Sequence, residues 1–204
     1  MPATPAPCWP RRPSAAPSAL VLAMTLGLTL GLPAAAAPVS YRLDPAQSTV
    51  AFETDFGADR ISGSFPIAGA SIAIDFQDLR HSTVAVTLDA TGAAASFPFA
   101  AQAMKGPKVL DAARFPSITF TSTAVSAAGE AARIDGQVTI RGVTQPMQMM
   151  AHLAQVSGEA PGDYTRLTIE LDGAVNRSTF GASGWADMVG DQVRLHILAR
   201  IARE

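Results

Sequence analysis

The chain has 204 residues, 48% of them hydrophobic, and 17 acidic residues against 15 lysines and arginines give a formal net charge of −2. That length suits one domain with a sizeable core, and an acidic balance without a basic run argues against a nucleic-acid partner. A single cysteine, Cys8, excludes an internal disulfide.

Arg11 and Arg12 precede an apolar, charge-free run from Leu20 to Leu32, and Ala34, Ala35 and Ala36 follow. This is the order of a secretory leader, and the run falls short of the roughly 20 apolar residues a membrane span needs. Cleavage is expected after Ala36, because cutting one residue later would place Pro38 first. Residues 1–36 are therefore read as a signal peptide and residues 37–204 as the mature domain. Pro13 directly follows the arginine pair and nothing else of a twin-arginine signal is present. Cys8 lies ahead of the apolar run, so it is neither a lipid anchor nor part of the mature chain. Removing the leader takes away two arginines and no acid, which moves the net charge from −2 to −4.

Beyond the leader the dominant period is two, the mark of half-buried strands. It runs through Val50, Phe52 and Thr54, then Ile72, Ile74 and Phe76, then Val84, Val86 and Leu88, then Ile118 and Phe120. It is longest in Leu167, Ile169, Leu171 and Val175 and in Val193, Leu195, Ile197, Ala199 and Ile201. Asp135-Gly136, Arg141-Gly142 and Pro161-Gly162-Asp163 supply turn chemistry. Two segments break the pattern. Between Phe97 and Arg114 the composition favours short helices, one over Ala100–Ala103 and one over Leu110–Ala113, interrupted by Pro107 and Pro116. The other is the Gly- and Ser-containing stretch from Ser178 to Gly190. Both are candidate flaps over an opening. Periodicity leaves a two-sheet sandwich and a closed barrel open. A membrane-spanning barrel fits less well, since the alternate positions carry Arg166, Glu170, Asp172, Arg194 and Arg200, and a soluble mature protein is expected.

Five strings narrow the choice: Tyr41-Arg42-Leu43-Asp44-Pro45, Arg114 to Ser122 (RFPSITFTS), Gly136 to Pro146 (GQVTIRGVTQP), Asn176 to Gly181 (NRSTFG) and Val189 to Val193 (VGDQV). In this order they closely resemble the YceI-like family, across essentially the whole mature chain. The resemblance implies an all-β, lipocalin-like, eight-stranded antiparallel barrel with short helical segments near its mouth, exported to the periplasm. It also implies a polyisoprenoid-binding role, the family's characterised members holding such lipids inside the barrel. Two departures stand out. Gln47 replaces the histidine usual after the Asp-Pro pair, and Phe97-Pro98-Phe99-Ala100-Ala101-Gln102 replaces a charged, histidine-containing stretch. Both are expected near a ligand's entrance.

Burying each CH₂ of a lipid is worth roughly 0.8 kcal/mol, so a five-carbon isoprene unit carries about 3 to 4 kcal/mol that hydrogen bonds cannot replace. A carrier must surround the chain with apolar wall, and an eight-stranded barrel is wide enough for one slender ligand. The candidate lipid-binding residues are Phe52, Phe65, Ile74, Val86, Leu88, Phe99, Met104, Phe120, Ile140, Met147, Met149, Leu167, Ile169, Leu171, Phe180, Leu195 and Ile197. The same residue types fill an ordinary core, and only the adaptable thioethers of Met147, Met149 and Met150 lean toward a cavity. His81, His152 and His196 lack metal-ligand spacing and are read as surface or strand residues. No nucleophile elbow or other catalytic string accompanies the serines, so no catalytic residue, metal or cofactor is assigned. Arg177 and Asp191 are read as hydrogen-bonding partners at the barrel end. The expected role is periplasmic binding or carriage of an isoprenoid, quinone-like or other apolar lipid, with transient membrane contact. The alternatives are an enzyme acting on a small hydrophobic substrate in the same barrel, and a packed interaction module without a cavity.

Overall fold

The computed structural model describes residues 37–154 and 162–204; the expected leader, Cys8 and Pro161 lie outside them. The strands are β1 (Val39–Leu43), β2 (Thr49–Phe56), β3 (Asp59–Phe65), β4 (Ile67–Ile74), β5 (Thr83–Asp89), β6 (Ala94–Ala95), β7 (Ser117–Ala128), β8 (Ala131–Ile140), β9 (Val143–Ala154), β10 (Arg166–Asn176) and β11 (Val189–Arg203). One α-helix, α1 (Pro98–Lys105), lies between β6 and β7.

Neighbouring strands pair antiparallel throughout, and the sheet closes because β11 pairs both β2 and β1. β1 and β2 are two stretches of one wall strand, parted by residues 44–48, and β3 and β4 are two stretches of the next, parted by Pro66. Proline cannot donate to a ladder, so it stands where pairing is already broken, and the register with β5 shifts just beyond it, between Ile67 and Gly69. Counted as walls, β1/β2, β3/β4, β5, β7, β8, β9, β10 and β11 make the eight-stranded closed barrel, with β6 a short addition to β3. The expected fold class is the observed one.

Period two becomes inside and outside. Leu195 stands opposite Phe52 on β2, and Ile197 opposite Leu171 on β10, so the apolar alternates of adjacent strands form continuous inner rows. Arg194 faces outward, donating to Glu53 at 2.8 Å and Asp55 at 2.6 Å.

Two sequence expectations are corrected here. Asp135-Gly136 is not a turn but the middle of β8, and the β7–β8 hairpin turns at Gly129-Glu130 instead. Gly136 is needed for close approach: a Cβ there would lie 2.4 Å from the Phe120 ring. Arg141-Gly142 does form the expected two-residue hairpin turn, with φ of 57° and 75°. The second short helix is absent. Residues 106–114 form successive turns, because Pro107 has no N–H to give and Asp111 takes a left-handed φ of 49°.

Candidate functional site: the barrel interior and its mouth

The barrel is hollow. A cavity of about 690 Å³, within the roughly 300–1,000 Å³ typical of small-molecule sites, extends through its interior. Every candidate lipid-binding residue except Leu167 borders it. Val193, Leu195 and Ile197 on β11, Ile169 and Leu171 on β10, and Val86 and Leu88 on β5 all face inward, yet each keeps partial exposure. In a close-packed core such residues would be fully buried.

Leu167 is corrected. Although it shares the β10 alternation, it is buried against Tyr41, Ile72 and Ile201 at one end of the barrel and does not itself border the cavity, which Ile72 and Ile201 do. That cluster is capped by aromatics. Phe76 stacks on Tyr164 with centroids 4.0 Å apart, Tyr41 meets Phe76 edge-on at 6.5 Å, and the Tyr41 hydroxyl donates to the Tyr164 carbonyl at 2.8 Å. Burial raises the Tyr41 phenol above its ordinary value, against the opposing pull of Arg203. Met147 and Met149 point inward, but Met150, the next residue along the strand, does not reach the cavity.

The mouth is at the other end, under the two segments read as flaps. One comprises α1 and the turns to Phe115, the other the 3₁₀ turn Arg177–Phe180 and the loop to Val189. Arg177, 8% exposed, secures the second flap from beneath. Its guanidinium donates to the carbonyls of Ala182 and Gly184 at 2.7 Å and of Val189 and Gly190 at 2.8 Å. Burial lowers its pKa, and the Asp191 charge partly opposes the shift. Asp191 itself accepts from the Ser178 amide at 2.9 Å and hydroxyl at 2.8 Å. Both residues therefore hold barrel-end backbone, as their sequence setting suggested.

Sequence reasoning missed Arg141, which ties the flaps together by donating to Pro107 of one, at 2.8 Å, and to Gly181 of the other. Its place in a hairpin turn carried no sign of that reach. It also missed Trp185, which borders the cavity in the left-handed conformation, φ 54°, and lies 5.9 Å beneath the Lys108 ammonium. Gln47 was expected near the entrance, but it is not there. It sits in the gap between β1 and β2, donating to Asp44 at 2.7 Å and accepting from Arg200 at 3.2 Å. The Phe97–Gln102 departure does lie at the mouth, as the start of α1.

Few polar side chains border the cavity, and most are engaged. The Thr54 hydroxyl lies within bonding reach of the Gly190 and Gln192 carbonyls, and the Ser82 hydroxyl accepts from the Asp75 amide at 3.0 Å. Among the described residues no three histidine, cysteine or carboxylate side chains gather as a metal site would require. The three histidines lie on strands or at a turn, His196 with Asp172 and His81 with Asp75.

A closed antiparallel barrel with an apolar, unfilled interior and a flap-covered mouth defines the architecture of lipocalin-like proteins. A family model for the YceI-like domain matches residues 41–201, and the chain belongs to that family. Protein YceI of Salmonella arizonae is 26% identical over 141 residues, covering 69% of this chain and 73% of that protein. Among solved structures, Burkholderia cenocepacia BcnA superposes with a TM-score of 0.70 at 21% identity, covering 78% of this chain and 98% of BcnA. A polyisoprenoid binding domain from Saccharophagus degradans superposes with a TM-score of 0.60 at 12% identity, covering 81% and 99%. These structures share the fold.

Proposed function

We propose that this protein is an exported lipid carrier that binds one long apolar molecule, of isoprenoid or quinone-like type, in the barrel, and that it is not an enzyme. The observation that carries this reading is the hollow interior: inner-face residues such as Val86, Ile169, Leu195 and Ile197 retain exposure that a filled core would remove. The shape favours a slender ligand. Wall residues on β11 run from Val189 to Ile201, about 40 Å of strand at 3.3 Å per residue, or roughly 30 Å along a barrel whose strands tilt by some 40°. The similarity to a domain described as polyisoprenoid-binding supports the ligand class. The non-enzymatic reading is supported by Thr54, Ser82 and Arg177, whose polar atoms are spent on backbone partners. The periplasmic location rests on the leader, and the intact mass of protein recovered from the periplasm should correspond to a chain starting near Ala37.

The test is to enlarge the wall. Val86→Phe and Leu195→Phe would occupy part of a real cavity at little cost, whereas overfilling a packed core costs about 1 to 3 kcal/mol. Both variants should stay as stable as the parent within a few degrees and copurify with less lipid, read by mass spectrometry of organic extracts. A parent without extractable lipid, together with destabilised variants, would replace the carrier by a packed interaction module.

A further inference from the structure

The mouth differs from the remaining surface in two ways that coincide. Phe97, Phe99 and Met188 are three of the six large hydrophobic side chains that the described residues leave exposed, at 40%, 75% and 48%, and all three line the cavity at this end, whereas the exposed Leu153 lines it alone towards the other. The sequence contains two lysines, Lys105 and Lys108, and both lie here, one at the end of α1 and one just after it. Among the described residues neither lysine has a carboxylate within ion-pair distance, although Lys105 is near enough to lower the pKa of Asp89, whereas Arg60, Arg80, Arg114, Arg133 and Arg194 all form ion pairs. The Lys108 ammonium rests over Trp185, the arrangement of a cation held at an apolar edge. Exposed aromatics flanked by unpaired lysines are the composition of a membrane-interface anchor.

We propose that this rim docks on the surface of an anionic phospholipid bilayer, with Phe97, Phe99 and Met188 entering the headgroup region and Lys105 and Lys108 facing lipid phosphates. Charge complementarity selects the partner: on a chain of net charge −2, both lysines stand beside the apolar side chains of this rim with no ion-pair carboxylate among the described residues. Two exposed carboxylates, Asp187 next to Met188 and Asp59 at the start of β3, stand on the Met188 part of the rim, which the Gly57 amide ties to the β2–β3 turn. Continuity with the cavity gives the docking its use, which rests on the carrier reading: a lipid crosses from bilayer to barrel without passing through water.

Vesicle flotation of the purified exported protein tests this. The protein should float with vesicles of phosphatidylethanolamine and phosphatidylglycerol and much less with vesicles of phosphatidylcholine alone. Replacing Phe97 and Phe99 together by serine should weaken binding about tenfold or more, by loss of apolar burial. Because these rings are exposed, the melting temperature should hold. The K105Q/K108Q variant should lose about fivefold per lysine at low ionic strength and be less sensitive to added salt. Failure of the parent to float with anionic vesicles, or variants that float as it does, would overturn the proposal. So would light scattering that shows the phenylalanines joining two copies of the chain instead. Lipid retention, measured by mass spectrometry on the same samples, separates the two readings. A loaded barrel that ignores vesicles fails as a docking protein while remaining a carrier, and an empty barrel that binds them does the reverse.

Discussion

The two ends of the barrel are closed by different chemistry. At the aromatic end, Tyr41, Phe76, Tyr164 and Leu167 fill space by contact, with one hydroxyl-to-carbonyl bond fixing the arrangement. At the mouth, two arginines hold loop backbone: Arg177 through the carbonyls of the second flap, and Arg141 by bridging both flaps. Asp111, Arg141 and Trp185, the non-glycine residues with positive φ among those described, are all at the mouth. Apolar contacts are dispersed and hard to open one at a time, whereas a loop hung on a few hydrogen bonds can be released as a unit. The aromatic end is built as a floor and the mouth as a door.

The sharpest way to break this contrast is to remove the arginine under the second flap. Arg177→Leu leaves four carbonyls without their donor in a buried site, at a cost of about 2 to 4 kcal/mol, or roughly 5 to 15 °C of melting temperature for a domain this size. Lysine should not rescue it, since a single ammonium cannot span four carbonyls in a fork. Limited proteolysis should cut within residues 178–188 first. Cleavage beginning in the walls instead would mean that the mouth is no weaker than the barrel.

At the floor the corresponding change should be small. Tyr41→Phe keeps the ring contacts with Phe76 and removes the bond to Tyr164, a loss of about 0.5 to 1.5 kcal/mol measured by denaturant unfolding. Copurified lipid should be unchanged. A larger loss, or an emptied barrel, would show that the floor depends on that bond as the mouth depends on Arg177.

This division also explains what the sequence could reveal. The walls were legible because each strand repeats one instruction: Leu195, Ile197, Ala199 and Ile201 need only point the same way for the inner face of β11 to be known. That the interior was hollow was not legible, because Val86 or Ile169 suits a filled core equally well and the difference lies in what faces it across the barrel. Leu167 shows the same limit, since alternation gives a residue's face and not its height along the axis. The mouth was legible as two interruptions of period two, while its fastening was not. Arg141 acts across 34 and 40 residues of sequence, and the left-handed backbone at Asp111 and Trp185 follows from tertiary contacts that no local propensity records. Asp135-Gly136 misled because turn chemistry and close approach both call for glycine, and the Phe120 ring that demanded it lies on another strand.

The smallest effect concerns the loop between β4 and β5 at the aromatic end, where acid should act on carboxylates rather than on packing. Asp75 accepts from the amides of Gln77 at 2.9 Å and Asp78 at 3.1 Å, and these bonds hold its carboxyl below the ordinary range, aided by His81. The side chain and amide of Arg80 bring Asp78 down to about 2. A carboxylate whose pKa is depressed on folding contributes stability that is fully present above its unfolded value near 4 and is lost as pH falls through the folded value. The melting temperature should therefore fall between pH 4 and pH 2, and Asp78→Asn, which cannot take up that proton, should flatten part of the fall. The change should be slight, because the Arg80–Asp78 pair is on the surface with the arginine side chain 80% exposed. Asp191 holds Ser178, but Arg177 holds the flap from Ala182 to Gly190 through bonds to carbonyls that do not titrate in this range, so protease access to residues 182–188 should be nearly constant over the same interval. A mouth that opens as the pH drops, with the floor intact, would reverse the assignment of the two ends.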